Sequence, residues 1–445
     1  MPPDAPAQIR RPVARVSLGA ASMVWLRVAL LSFGGPAGQI AVMHRVLVDE
    51  KKWISERRFL HALNFCMLLP GPEAQQLAAY VGWLLNGTWG GLIAGGLFVL
   101  PGALAILALS IVYVTFGAVG AVSGAFFGLK AAVLAIVVQA IQRLSARALQ
   151  SDASKAVAFA AFVALYVLNA PFPLVVLVAG LAGLIGARAR AFGFSSQHGA
   201  GSEADDPTPI AEPRSGPQAL RVAAFFLALW LAPIAALVML FGVEDVYARI
   251  AMFFSKMAIV SFGGAYSALS YVAQQAVERF HWLDAREMLD GLGMAETTPG
   301  PLIMVVQFVG FLAAYRHPGS LAPLVAGVLG GLLATYVTFA PSFLWIFAAA
   351  PYVERLRANS ALAGALAAVS AAVVGVIANL ALFFALRFLF HDLWTAPGLP
   401  IELPVLTSLD VGALALSVVA FAALRLGLAP TLLICVIAGL ALRSL

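Results

Sequence analysis

Ser32-Phe33-Gly34-Gly35-Pro36, followed by Pro70-Gly71-Pro72-Glu73, is a phrase that this chain states twice. The second statement runs Ser261-Phe262-Gly263-Gly264 and then Glu296-Thr297-Thr298-Pro299-Gly300-Pro301. The two superimpose without a gap at an offset of 229 residues, with Trp53 on Trp282 and Arg27 on Lys256. So long a period marks a duplicated half, because solenoid repeats recur about every 20–50 residues. Any fold must therefore place two equivalent units, each interrupted once by a Gly pair and once by Pro-Gly-Pro. In membrane transporters, matched interruptions in paired halves point to the binding site.

Composition supplies the membrane. The chain is 62% hydrophobic and 11% charged, with a mean hydropathy of +0.94, whereas soluble domains are about 25% charged. Apolar runs of roughly 20 residues recur, long enough to cross a hydrocarbon core about 30 Å thick. The expected fold class is an all-α polytopic membrane protein of two homologous halves, inverted relative to one another, with discontinuous helices at the interruptions. Residues 1–16 are polar and carry Arg10, Arg11 and Arg15, so we expect no cleavable signal peptide and a cytoplasmic start. The net charge of +6 lies largely in short loops, where it sets orientation and does not signal nucleic-acid binding. Cys66 and Cys435 lie in apolar stretches with no metal spacing, so neither a disulfide, a metal site nor a cofactor is expected. The chain has no Gly-x-Ser-x-Gly, His-Glu-x-x-His or nucleotide-loop motif, which argues against a membrane-embedded enzyme.

The pattern divides the chain into an N-terminal half (1–187), a hydrophilic linker rich in Gly, Ser, Pro and Ala (188–219), and a C-terminal half (220–445). Helical hairpins are expected at 156–187, turning at Asn169 to Pro173, and at 408–442, turning at Gly427 to Pro430. Pro101 and Pro341 hold similar places in the two halves. Loop 44–58 has Arg45, Lys51, Lys52, Arg57 and Arg58, whereas its counterpart 273–287 mixes Arg279 and Arg286 with Glu278, Asp284 and Glu287. Opposite charge bias at equivalent positions is the mark of inverted halves. If the N-terminus and loop 44–58 share one side, segment 17–43 turns back at its Gly-Gly-Pro.

A Gly pair ends a helix easily, and Pro suits the first turn of the next one. Each interruption is therefore expected to start a half-helix inside the bilayer, with first-turn N–H groups that lipid cannot satisfy and that favour anions. Four such starts around a pseudo-symmetry axis make a dry, donor-rich pocket for a small oxyanion. Arg27 and Lys256, each five residues before its Ser, are the expected formal cations for a dianion, since a charge at mid-bilayer normally faces a pathway. Glu73 and Glu296 flank Pro-Gly-Pro on opposite sides and are the coupling candidates, with helix capping as the alternative. Gly82, Gly90, Gly91, Gly95 and Gly96 have the spacing of close helix packing. Lys130 is a further charge within an apolar run.

These residues closely resemble the chromate ion transporter family in its long, two-half form. The matching stretches are Ser32-Phe33-Gly34-Gly35-Pro36-Ala37-Gly38-Gln39, Leu69-Pro70-Gly71-Pro72-Glu73-Ala74 with Gln76, Ser261-Phe262-Gly263-Gly264-Ala265-Tyr266, and Glu296-Thr297-Thr298-Pro299-Gly300-Pro301. The resemblance covers nearly the whole chain outside the tail and the linker. It implies a secondary transporter of the cell inner membrane that exports chromate and confers resistance, with sulfate as a competing or counter-transported dianion. A sulfate or other oxyanion permease of the same fold is the alternative. Substrate contacts are then expected from Ser32, Phe33, Gly34, Gly35, Pro36 and Gln39, from Pro70, Gly71, Pro72 and Gln76, from Ser261, Phe262, Gly263, Gly264 and Tyr266, and from Thr297, Thr298, Pro299, Gly300 and Pro301. The expected partners are the oxyanion and membrane lipid, and a homodimer is compatible with the sequence.

Overall fold

The computed structural model describes residues 16–117, 119–189, 216–262, 264–349, 360–395 and 401–444. The first helix, α1 (Leu18–Leu31), starts where the Ser17 hydroxyl accepts the Ala20 N–H and stops at Ser32. Gly34, in the left-handed conformation (φ 79°, ψ 39°), and Pro36 in the first turn open α2 (Gly35–His44). The chain turns back here. Arg27 Nη1 lies 2.9 Å from Glu50 Oε2, whereas a continuous helix would set these residues about 35 Å apart. Helix α3 (Glu56–Cys66) then leads to Pro70-Gly71-Pro72 and α4 (Glu73–Phe116). Helix α4 is itself a hairpin, folded at Asn86 and at Gly87 (φ 64°, ψ −157°). The Asn86 side chain donates to the Val16 carbonyl at 2.6 Å, so the first arm returns to the end where α1 began. Both broken helices are thus re-entrant from one end of the molecule, which resolves the orientation of segment 17–43.

The second arm of α4 crosses the bundle, and α5 (Gly120–Ala148) comes back. The hairpin α6 (Asp152–Tyr166) and α7 (Phe172–Ala189) follows, with Asn169 at positive φ in its turn, as expected. The linker falls mostly outside the described residues. Helix α8 (Gly216–Phe241) is the further crossing. The second half then repeats the plan from the opposite end. Helices α9 (Val246–Val260) and α10 (Ala265–Ala273) flank the second Gly break, and α11 (Ala285–Thr297) and α12 (Val305–Arg316) flank the second Pro-Gly-Pro. Helix α13 (Pro323–Ala349) crosses, α14 (Ser360–Leu389) returns, and α15 (Val411–Ala423) with α16 (Leu428–Ser444) closes the chain. A short antiparallel pair, β1 (Leu393–Thr395) with β2 (Glu402–Pro404), is one element the sequence pattern did not reveal.

The inversion follows from packing. A β-carbon on Gly91, near the Asn86 turn, would meet the Phe347 ring, and one on Gly71 would meet Ser342 Oγ. Helix α13 therefore ends at the Asn86 end and starts, beside Arg316, at the other. There Arg316 binds Glu287 at 2.6 Å and the Trp282 carbonyl at 2.7 Å, so the 273–287 loop lies opposite loop 44–58.

Among the described residues, five helices are long and apolar enough to cross a membrane. The bundle exposes Met23, Leu30, Phe159, Ile185, Phe225, Met239 and Ile437, the apolar exterior that lipid requires. Between the arms of α4, Gly82 and Gly90 face each other so closely that a β-carbon on either would stand within 2.5 Å of the other's carbonyl oxygen. Gly91 and Gly95 similarly admit Phe347 and Phe343, while Gly96 faces open space and takes no part in the packing.

Candidate functional site

The four interruptions meet in the interior of the bundle, and they meet crosswise. The Gly71 N–H donates to the Ser261 carbonyl at 3.0 Å, and the Gly300 N–H donates to the Ser32 carbonyl at 2.9 Å. Each Pro-Gly-Pro of one half is thus tied to the Ser-Phe-Gly-Gly of the other. Gly71 and Gly300 hold φ near 110° and 101°, a backbone region that side chains disfavour. Gln39 adds a second link, donating to the Gly300 carbonyl at 2.7 Å, and Gln76 Nε2 donates to the Pro70 carbonyl at 2.6 Å. Gly102 on α4 seats the second Pro-Gly-Pro: its Cα is 3.2 Å from where a Gly300 β-carbon would stand. Ser342 on α13 flanks Gly71 in the same way, each residue directly following the matched Pro101 or Pro341.

These helices begin differently from six others, although α5 also starts without a side-chain cap, behind Val119. Helices α1, α3, α6, α9, α11 and α15 start behind Ser17, Ser55, Ser151, Asp245, Asp284 and Asp410, each of which caps a first-turn N–H. The four starts at the interruptions follow Gly34, Pro72, Gly264 and Pro301, and none has a side-chain cap. Their first-turn amides have no side-chain partner; the starts of α4, α10 and α12 are largely buried, where donors are normally satisfied, whereas α2 starts half-buried, with Ala37 exposed. The neighbouring hydroxyls point elsewhere. Ser32 donates to Val28, Ser261 to Ala258, Thr297 to Gly293 and Thr298 to Ala295, each to a carbonyl at the end of its own helix.

Two carboxyl groups stand beside these starts. Glu73 Oε1 is 3.7 Å from the β-position of Gly264, at the head of α10. Glu296 accepts the Tyr266 hydroxyl at 2.9 Å, and that hydroxyl is 3.9 Å from the β-position of Gly35, at the head of α2. Among the described residues neither carboxyl pairs with a Lys or Arg. Glu296 Oε2, Gln39 Oε1, Gln76 Oε1, Ser342 Oγ and both polar atoms of Gln75 are buried without a hydrogen-bond partner. A buried polar atom without a partner costs about 1–3 kcal/mol; of these atoms the Glu296, Gln39, Gln76 and Gln75 oxygens are acceptors, and only Gln75 Nε2 and Ser342 Oγ can donate to an anion. No group of three or more metal-binding side chains occurs among the described residues.

The expected residues fall into two sets. Ser32, Gly34, Gly35, Pro36, Gln39, Pro70, Gly71, Pro72, Gln76, Ser261, Phe262, Gly264, Tyr266, Thr297, Thr298, Pro299, Gly300, Pro301, Glu73 and Glu296 lie at or beside the crossed interruptions. Phe33 lies on the same turn with 42% of its surface exposed, and Gly263 lies outside the described residues. Arg27 and Lys256 are not brought into the cluster. Both are exposed, and Arg27 pairs with Glu50. The reason is helical phase: α1 buries Val24, Trp25, Val28 and Ala29, and residue 27 falls on the opposite face. Gln75, Gly102 and Ser342 were missed. Gln75 adjoins a motif residue, and the matched Pro101 and Pro341 were the available signal for the other two.

Two inverted halves, each contributing two broken helices to one interior junction, define a membrane transporter. The description "Chromate transporter" fits residues 20–184 and 248–442, and the chain belongs to the chromate transporter family. It is 33% identical over 361 residues to a chromate transport protein of Pseudomonas aeruginosa, covering 79% of this chain and 77% of that one. It is 28% identical to a chromate transport protein of Cupriavidus metallidurans, over 82% of each chain. A probable chromate transport protein of Synechococcus elongatus is 27% identical over 85% of this chain and 87% of its own. No solved structure matches it.

Proposed function

We propose that this protein carries chromate out of the cell across the inner membrane, conferring resistance to it, with sulfate as the competing dianion. The observation that carries the reading is the crossed junction: four helix starts without a side-chain cap, two from each half, meeting in the interior. Such starts favour an anion through aligned N–H groups and helix dipoles. The relatives named as chromate transport proteins narrow the oxyanion to chromate. The end that holds loop 44–58 also holds Arg143, Arg147 and Lys155, and an excess of Lys and Arg marks the cytoplasmic face. Because the two halves are inverted, tilting one against the other exposes the junction to either side in turn. Glu73 and Glu296 adjoin the heads of α10 and α2, so a proton gained or lost by either alters the charge that the oxyanion meets. No bond of the oxyanion is broken in this reading, and the protein is not an enzyme.

Labelled chromate flux in everted vesicles tests this. Uptake into such vesicles should depend on the protein, fall with added sulfate, and fall when the proton gradient is collapsed. Equal uptake in vesicles with and without the inserted protein would overturn the reading.

A further inference from the structure

Among the described residues no Lys or Arg forms an ion pair with Glu73 or Glu296, and Arg143, an exposed residue, acts on Tyr266 at the junction only through space, yet a dianion in a low-dielectric interior needs compensation beyond helix ends. A cation does stand elsewhere along the boundary between the halves. Lys130 on α5 keeps only 15% of its side chain exposed, and its Nζ lies 3.1 Å from Oδ1 of Asp290, which is 5% exposed. Tyr113 on α4 donates its hydroxyl to Asp290 Oδ2 at 3.1 Å. Lys130 and Tyr113 belong to the first half and Asp290 to the second, so the ion pair bridges the halves. A cavity of about 350 Å³ opens on it, lined by Tyr113, Gly117, Ser123, Phe126, Lys130 and Asp290. Asp290 is six residues from both Asp284 and Glu296. The cavity therefore lies about 9 Å along α11 from the junction, on the side away from loop 44–58.

Taking an ion pair out of water costs desolvation that can exceed its Coulombic gain. This pair faces a cavity with room for a guest, and Tyr113 is the hydroxyl bonded to its carboxylate. We propose that Lys130 is the cation of a second oxyanion subsite, between the junction and the end opposite loop 44–58, and that Asp290 occupies the anion's place while the subsite is empty. An arriving tetrahedral dianion takes over the Lys130 ammonium, with the Tyr113 hydroxyl as donor, and Asp290 gives way, while Ser123 stands exposed on the cavity wall. Asp284 and Glu287 add negative charge near Asp290 on α11, and Arg316 pairs with Glu287. The proposal rests on the reading of the chain as an oxyanion carrier, and its test is independent of transport.

Chromate oxidises thiols, so the probes are sulfate and molybdate, which have the same shape and charge. Cys66 and Cys435 are buried, whereas Ser123 is exposed at the cavity. Ser123→Cys is labelled in the full chain with a small neutral methanethiosulfonate. Sulfate or molybdate should slow labelling at least tenfold. The concentration giving half protection should rise at least tenfold in Lys130→Gln and stay near the parent value in Lys130→Arg. Where Lys130→Gln fails to insert, the neutral pair Lys130→Gln/Asp290→Asn replaces it, since it leaves no buried charge unpaired. The neutral pair should insert and still lose protection, which a merely structural pair would not. Labelling that neither anion slows, or protection unchanged by loss of the Lys130 charge, overturns the subsite. Chromate flux by the unsubstituted protein is measured separately, so failure of the carrier reading and failure of the subsite give different results.

Discussion

Adding one methyl group at Gly102, a residue outside the expected substrate contacts, should disable the crossed junction. A β-carbon there would stand 2.6 Å from the Pro299 carbonyl oxygen, whereas close C···O contacts run to about 3.3–3.6 Å. The second Pro-Gly-Pro must therefore retreat from α4 by about 0.8 Å. Gly300 moves with it, and its 2.9 Å bond to the Ser32 carbonyl stretches to roughly 3.7 Å, outside hydrogen-bond range. A lost hydrogen bond contributes about 0.5–1.5 kcal/mol, and overpacking a tight contact costs about 1–3 kcal/mol. Together they weaken the assembled junction by about 1.5–4.5 kcal/mol. At 1.4 kcal/mol per factor of ten, chromate flux per inserted molecule in everted vesicles should fall about tenfold or more for Gly102→Ala. Gly96→Ala, on the same arm with nothing within 4 Å of the added carbon, is the control and should match the parent. Flux within about twofold of the parent for Gly102→Ala, at equal insertion, would refute the reasoning.

Three further outcomes are expected. Arg27→Gln and Lys256→Gln should each keep chromate flux within about threefold of the parent, because an exposed ion pair such as Arg27 with Glu50 typically contributes about 0–1 kcal/mol; loss of flux at normal insertion would return these cations to the pathway. Single cysteines at Lys52 and at His281, in a background lacking Cys66 and Cys435, should react with an impermeant maleimide from opposite faces of the membrane, and reaction from one face would exclude the inversion. Glu296→Gln should keep protein in the membrane and remove the dependence of flux on the proton gradient, whereas flux that still responds to the gradient would assign coupling elsewhere.

The duplication, both interruptions in each half and the helical hairpins were legible because they rest on local chemistry that a period or a Pro-Gly-Pro reveals. The meeting of the breaks was legible only in part. The repeat makes Gly71 and Gly300 equivalent, but it does not say that each binds the other half's Ser. Arg27 shows the same gap between position and direction. Its place five residues before Ser32 was readable, but its outward phase depends on which face of α1 finds a partner. Asp290 escaped because it reads as an ordinary polar residue of an amphipathic helix until Lys130, 160 positions away, is seen to face it. Ser342 was hidden for a related reason, since its role appears only once Gly71 lies against α13.

Helix α8 settles a question of parity. Each re-entrant break enters and leaves on one face and so adds no net crossing, and α4's second arm with α5, and α6 with α7, cancel in pairs. The first half therefore ends on the face where it started: Gly183 of α7 packs against Gly364, near the start of α14, and α8 begins on that same face, with Phe226 against Phe347. Two such halves joined directly would insert side by side in the same sense, and Gly71 would never meet Ser261. The one additional crossing, α8, turns the second copy over. A half released from the chain would need to insert both ways up in one membrane before two copies could form the crossed bonds, which makes α8 the element that lets a single polypeptide hold both orientations at once.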